Sequence, residues 1–415
     1  MKASHIGCLL FFMCGFAAHV LAAPDTATGI FDPEFKSLRV TNSGGQLLPP
    51  VLQLGGGNSL TVEFDELAES RRYLRYRLIH CSANWQPSAL VESEYLNGFN
   101  QADVDDYAYS ESTFAHYVNY RITVPSADMM PRLSGNYLLQ VYDSDEPDKI
   151  LLQTRFMVSE QSAGLDVTVT SRTDLDYNAR HQQLAVTANV DGAGVSDVFN
   201  DLRLVIVQNG SPAMTRSLQR PLRASGESAV WEHQEPLIFP AGNEYRRVEM
   251  ATVHYPQRGV DHYEYAEPYY HAILQTDQKR SASRYEYDQD QNGKFFVNEI
   301  SVADPSIQAD YLVAHFELES QEMAEPIFLE GDLTQRRIDL DSRMAYDMRR
   351  GVYYKTLLLK QGLYNYRYVT ADGSPAAMEG NYYETVNEYL ILLYNRAPGA
   401  RYDRLIGSTV IYSGK

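Results

Sequence analysis

Apolar residues recur at every second position along the chain: Leu74, Tyr76 and Leu78; Leu165, Val167 and Val169; Leu184, Val186 and Ala188; Tyr364, Tyr366 and Tyr368. Successive side chains of an extended strand point to opposite faces, so this period of two predicts strands with one buried face. Turn-forming groups separate the runs, among them Gly55-Gly56-Gly57-Asn58, Ser134-Gly135-Asn136, Asn209-Gly210, Asn292-Gly293 and Asp372-Gly373, where Gly or Asn accepts a positive φ. Long amphipathic helical patterns are absent. Many short strands without helices between them predict an all-β chain of tandem immunoglobulin-like β-sandwiches.

Four segments follow from the punctuation. Residues 1–22 read as a secretory signal: Lys2 and His5 precede a mostly apolar run from Ile6 to Val20, and small residues lead to Ala23-Pro24. Residues 23–160 form a first sandwich, because Arg155-Phe156-Met157-Val158 looks like a last strand before the small, polar Ser159 to Gly164. Residues 161–304 form a middle sandwich. A break at Asp304-Pro305-Ser306 then leaves 305–415 as the third, opening on the apolar run Tyr311 to Phe316.

Charge and composition narrow the function. The chain of 415 residues carries a net charge of −18, from 54 acidic against 36 basic side chains. That balance opposes binding to a phosphate backbone and excludes an electrostatic nucleic-acid binder. Loss of Lys2 with the signal takes −18 to −19, which opposes adsorption to anionic lipid as well. No later stretch has the apolar length of a membrane-spanning helix, so no direct membrane anchor is expected. Of 3 cysteines, Cys8 and Cys14 leave with the signal, and Cys81 alone has no internal disulfide partner.

Candidate chemistry is sparse. Asp288-x-Asp290-x-Asn292-Gly293, with Glu299 at the twelfth place, matches a calcium-loop pattern, yet strand-like Tyr285-Glu286-Tyr287 and Phe295-Phe296-Val297 flank it where helices belong. A calcium loop and a hairpin turn at Asn292-Gly293 both stay open. His80-Cys81 suggests an activated thiol, but neighbours on one strand point to opposite faces, so core packing of Cys81 with Trp85 is the reading. No zinc-ligand spacing, nucleophile elbow, phosphate loop or dinucleotide fingerprint occurs, and no cofactor is implied. The acidic run Asp103, Asp105, Asp106 and Glu111 reads as a solvated face. The stripe Tyr364, Tyr366 and Tyr368 either packs or stacks on sugar rings. Tyr263, Tyr265, Tyr269 and Tyr270 lie in an acidic stretch, and tyrosine is enriched in protein interfaces as well as in strands.

Several longer motifs carry a resemblance. Ile79-His80-Cys81-Ser82-Ala83-Asn84-Trp85, Glu94-Tyr95-Leu96-Asn97-Gly98-Phe99, Tyr117-Val118-Asn119-Tyr120 and Ser134-Gly135-Asn136-Tyr137 stand in order near the start. Val207-Gln208-Asn209, Phe239 to Arg246, Leu359-Lys360-Gln361-Gly362, Glu379-Gly380-Asn381, Thr385-Val386-Asn387-Glu388-Tyr389 and Arg401-Tyr402-Asp403-Arg404 follow. Together they resemble the type IX secretion system plug family of Bacteroidota. The resemblance implies a non-enzymatic periplasmic protein, held at the inner face of the outer membrane by a protein partner, the giant β-barrel translocon whose pore it occludes when cargo is absent. The last segment also resembles early-set sandwiches of the glycogen-binding type, through Phe328-Leu329-Glu330-Gly331-Asp332-Leu333 and Gly362 to Tyr368. That second likeness implies an alternative, an exported carbohydrate-binding sandwich. An enzyme assembled from distant strands is a third possibility that no local motif would reveal.

Overall fold

Alternation translates into layers. In strand Leu74–Cys81, Leu74, Tyr76 and Leu78 are buried while Arg75 and Arg77 reach outward. In His181–Asn189, Leu184, Val186 and Ala188 turn inward and Thr187 and Asn189 are exposed. The computed structural model describes residues 25–414, and the expected signal segment with Cys8 and Cys14 lies outside the described residues. Three β-sandwiches make up the described chain, and none of its helices is long and apolar enough to cross a membrane.

The first sandwich faces two sheets. One runs Gly29–Ile30, Glu146–Ser159, Gly135–Asp143, Leu74–Cys81, Ala102–Asp103, with Val51–Gln53 joined in parallel to Glu146–Ser159. The other runs Phe35–Asn42, Leu60–Glu66, Val118–Val124, Asp106–Tyr109. Phe35, Phe64, Tyr120, Tyr137, Val141 and Phe156 fill the space between. The middle sandwich opens with Gly164–Thr170, which pairs with His181–Asn189; Ser228–Trp231 and Arg223–Ser225 complete that sheet, and Ile238–Pro240 joins His181–Asn189.

The opposite sheet of the middle sandwich corrects the expected division at 304/305. It runs Thr215–Leu218, Leu202–Gln208, Glu388–Asn395, Arg404–Tyr412. The last two strands of the chain thus return to the middle sandwich, in a register that opposes Leu204 to Leu393 and Ile206 to Ile391. Trp231, Leu204, Tyr389, Ile391 and Ile406 share one core. The third sandwich is an insertion that begins before the supposed break. Its sheets are Arg246–Glu249, Gly362–Val369, Phe295–Val297 with Phe328–Glu330, and Val260–Ala266, Tyr269–Leu274, Tyr311–Glu319, Val352–Lys360, Ala345–Asp347. Pro305 ends no domain: it opens the short helix Pro305–Gln308, where Asp304 caps by accepting the Ser306 N–H at 3.0 Å.

Outward faces are buried too where sandwiches meet. Ala83 and Met157 of the first pack on Val205, Leu390, Leu392, Tyr394 and Leu405 of the middle one. Tyr117 of the first packs on Tyr311 of the third. The first junction explains why neighbours His80 and Cys81 are both buried: His80 enters the first core against Tyr95 and Tyr137, and Cys81 lies on the other face beside Asn136.

Candidate interaction surface

The calcium-like stretch is built as a turn. Asn292 and Gly293 have φ of 54° and 84°, and the Lys294 N–H donates to the Gln291 carbonyl at 3.3 Å. Its carboxylates are already engaged. Asp288 pairs with Arg258; Asp290 accepts the backbone N–H of Tyr245 and, at 3.0 Å, that of Asn292; Glu299 accepts the Ser301 N–H and hydroxyl at 2.9 and 2.8 Å. Among the described residues no group of three or more His, Cys, Asp or Glu is placed to hold a metal ion. Gly293 is pressed so close that a Cβ would come within 2.6 Å of the Tyr245 ring and 2.8 Å of Arg336.

Beside this turn, Glu244 is buried, accepting the Tyr285 hydroxyl at 2.5 Å and the Val386 N–H at 3.0 Å. Burial pushes its carboxyl from 4.5 up to about 7, with Asp290 and Asp288 adding to the rise. The folded chain therefore binds this proton more tightly than the unfolded chain, and the group's contribution to stability falls as pH rises through that interval. Relative to the native sequence, Glu244→Gln is expected to gain about 2–3 kcal/mol between pH 5 and pH 8. Urea unfolding at both pH values measures it, and a constant difference refutes it.

His80 and Cys81 form no thiol–imidazole pair. His80 is bound through Nδ1 to the Ser88 hydroxyl at 2.9 Å and through Nε2 to the Ser134 carbonyl at 3.1 Å. Burial pushes the Cys81 thiol up to about 12, which removes the thiolate at neutral pH. Trp85 is not interior to the first sandwich; it lies half-buried at the junction with the middle one, under the Arg155 guanidinium. The tyrosine stripe packs. Tyr364 and Tyr366 are 2% and 4% exposed, with hydroxyls donated to the Lys360 carbonyl and to Asp277. A sugar ring has no access to either, so the stacking platform of the carbohydrate alternative is not formed. Asp103, Asp105, Asp106 and Glu111 are exposed, and Asp103 pairs with Arg75 at 2.6 Å.

The longer motifs converge on the junctions between sandwiches. At the first–middle junction the Tyr394 hydroxyl donates to Asn136 at 2.7 Å, the Ala83 N–H donates to Asp403 at 2.8 Å, and the Tyr402 ring lies edge-on to His80. Arg404 meets Glu160 at 2.6 Å and Arg401 meets Glu94 at 2.6 Å. Where the insertion leaves the middle sandwich, Asn209 and Asn387 bond at 2.7 Å, the Gly242 N–H donates to Asn381 at 2.9 Å, and Asn243 donates to the Glu379 carbonyl at 2.9 Å. Between first and third, Lys360 meets Asp65 at 2.6 Å with Tyr117 beneath it. These residues set the relative placement of three rigid units.

The outer surface carries one aromatic cluster built from two of those units. In the hairpin of Val260–Ala266 and Tyr269–Leu274, Tyr265 opposes Tyr270 with ring centroids 5.0 Å apart. Phe114 of the first sandwich joins them at 6.0 and 5.8 Å. Asp310 of the third fixes the Phe114 segment by accepting the N–H groups of Phe114 and Ala115 at 2.7 and 3.1 Å. Phe114 is nonetheless 62% exposed and Tyr265 54%. Asp261, Glu264 and Glu267 of the same hairpin are exposed, with Asp261 and Glu264 bonded to His262, and Val260–Ala266 is the edge strand of its sheet. An exposed aromatic patch beside a free strand edge suits a protein partner. Of the four tyrosines in this stretch, Tyr263, Tyr269 and Tyr270 are half-buried and Tyr265 is exposed. Phe114 had no signal in the sequence, because it reaches the patch only through the packing of first on third.

Comparison with known proteins agrees with this architecture. Residues 35–160 match the family described as the type 9 secretion system plug protein 1st domain. A crystal structure of a hypothetical protein from Parabacteroides merdae is 36% identical, with a TM-score of 0.92 over 94% of this chain and 100% of that one. A DNA glycosylase from Pseudomonas fluorescens, bound to DNA containing an abasic-site analogue, shares 12% identity over 30% of each chain at a TM-score of 0.19, too low to carry any argument. No curated protein matches. On the first-domain match, the chain belongs to the type IX secretion system plug protein family.

Proposed function

We propose that this chain is a non-enzymatic periplasmic plug, which binds the periplasmic side of the giant outer-membrane β-barrel translocon of the type IX secretion system and occludes its pore when cargo is absent. The observation that carries the reading is the match of residues 35–160 to the plug first domain. A stopper must resist deformation, and three sandwiches joined through apolar clusters and buried polar contacts supply a stiff body. The Phe114, Tyr265 and Tyr270 cluster is the contact face, docking against an apolar surface of the barrel.

The test is purification of the tagged protein from its native envelope in mild detergent, with a photo-crosslinker at position 265 or, as a control, at exposed Leu340. Crosslinks from 265 to the barrel are expected, and Tyr265→Asp is expected to reduce co-purified barrel about tenfold, the loss typical of a central interface aromatic. Recovery of a known subunit complex without the barrel would refute the plug; barrel recovery with crosslinks from 340 alone would refute this face.

A further inference from the structure

The outward faces of the first and middle sandwiches do not close fully. A cavity of about 730 Å3 remains between them, with the loop after Phe328–Glu330 of the third sandwich along one side. That volume lies in the range of small-molecule sites. Strand alternation forms its wall: Leu202, Leu204 and Ile206 of Leu202–Gln208 turn into the middle core, so Arg203, Val205 and Val207 face the cavity. Their cross-strand partners Tyr394, Leu392 and Leu390 share that face.

Most cations on the lining are neutralised. Lys294 meets Glu388 at 2.9 Å, Arg39 meets Glu63 at 2.8 Å, Arg336 meets Asp332 at 2.6 Å and Arg337 meets Asp25 at 2.8 Å. Two guanidiniums differ. That of Arg203 has no ion pair or hydrogen bond among the described residues. Arg155 gives its Nε–H to the Thr26 carbonyl at 2.7 Å and lies 4.3 Å over the Trp85 ring, with no carboxylate partner. Burial with so little counter-charge lowers it to about 10. A cation held in an apolar slot without an anion is costly, and a ligand carrying one relieves the cost.

We propose that this cavity binds a small organic carboxylate with a linear apolar chain, the chain lying on Val205, Val207, Leu390 and Leu392 and the carboxylate meeting Arg203 in the positive field of Arg155. The site is separate from the aromatic hairpin, so it stands or falls independently of the plug reading.

Isothermal titration of the purified protein with dodecanoate, below its micelle concentration, tests the idea against dodecanol and dodecyltrimethylammonium. Saturable binding of one dodecanoate per chain is expected, with dodecanol at least tenfold weaker and the cation weaker still. Arg203→Gln is expected to weaken dodecanoate at least tenfold without lowering the ligand-free melting temperature, and Val205→Trp, which fills the slot, is expected to abolish binding. No saturable binding, equal affinity for the cation, or full affinity in Arg203→Gln each overturns the proposal.

Discussion

Replacing Asp65 with Ala is expected to lower stability by about 3–5 kcal/mol, the cost of stranding a buried charge. Asp65 and Lys360 meet at 2.6 Å with both side chains 1% exposed, one from the first sandwich and one from the third. The carboxylate is saturated: it also accepts Asn119 Nδ2–H at 2.8 Å and the Tyr311 hydroxyl at 2.7 Å. Lys360 in turn donates to the Ser306 carbonyl at 2.6 Å and lies 4.0 Å over the Tyr117 ring. Burial lowers the Lys360 ammonium's pKa even with Asp65 beside it, so removal of Asp65 leaves the cation with one carbonyl and a ring face. The apolar double variant Asp65→Leu with Lys360→Met removes both charges and is expected to lose far less than Asp65→Ala. Denaturant unfolding of the three forms reads this directly. A double variant as unstable as the single one would show that packing, not the stranded charge, sets the loss. Hydrogen exchange at the Phe114 and Ala115 amides, which donate to Asp310 across the same junction, reports whether the first and third sandwiches separate first.

That junction shows where the sequence stops being legible. Alternation identified strands such as Leu74–Cys81 because their period is local. Membership of a sheet is not local. Glu388–Asn395 is buried at all eight positions, since one face enters the middle core and the other meets the first sandwich, and nothing in Leu390 to Tyr394 says which sheet it joins. The insertion of the third sandwich is therefore invisible in the sequence, and Pro305 reads as a boundary although it starts a helix. The same duality hid the character of the tyrosine stripe. Tyr364, Tyr366 and Tyr368 fill one face of Gly362–Val369, while Asn365 and Arg367 on the other are covered by the Asn292-Gly293 turn and by Glu330. Motif residues such as Asn136, Lys360, Asn387 and Asp403 were recognisable as a series, but only folding shows that they meet across junctions.

The second large effect is expected at Glu330. Strand pairing sets Glu330 opposite Arg367, whose Nε–H it accepts at 2.7 Å, and its other oxygen meets Arg336 at 3.3 Å. Tyr245 adds its hydroxyl at 3.2 Å. Arg336 also holds the Asn292 carbonyl at 2.6 Å, so Glu330 and Asp332 together neutralise the group that docks the Asn292-Gly293 turn. Glu330→Ala leaves the buried Arg367 guanidinium without its carboxylate, while Arg336 keeps Asp332 at 2.6 Å, and a loss of about 3–5 kcal/mol is expected. Its pH dependence separates charge from shape. Burial works to raise the Glu330 pKa, but the Arg367 and Arg336 guanidiniums outweigh it and hold the carboxyl below the usual range. The stabilisation is therefore present above the ordinary carboxylate pKa and is lost as pH falls through the folded value. The deficit of Glu330→Ala should shrink in acid, whereas the advantage of Glu244→Gln should grow towards alkaline pH, because one carboxylate is held ionised by cations and the other is held protonated by burial. Unfolding both variants across one pH series tests the two signs together. A deficit at Glu330 that stays constant into acid would trace the loss to the cavity left by the side chain.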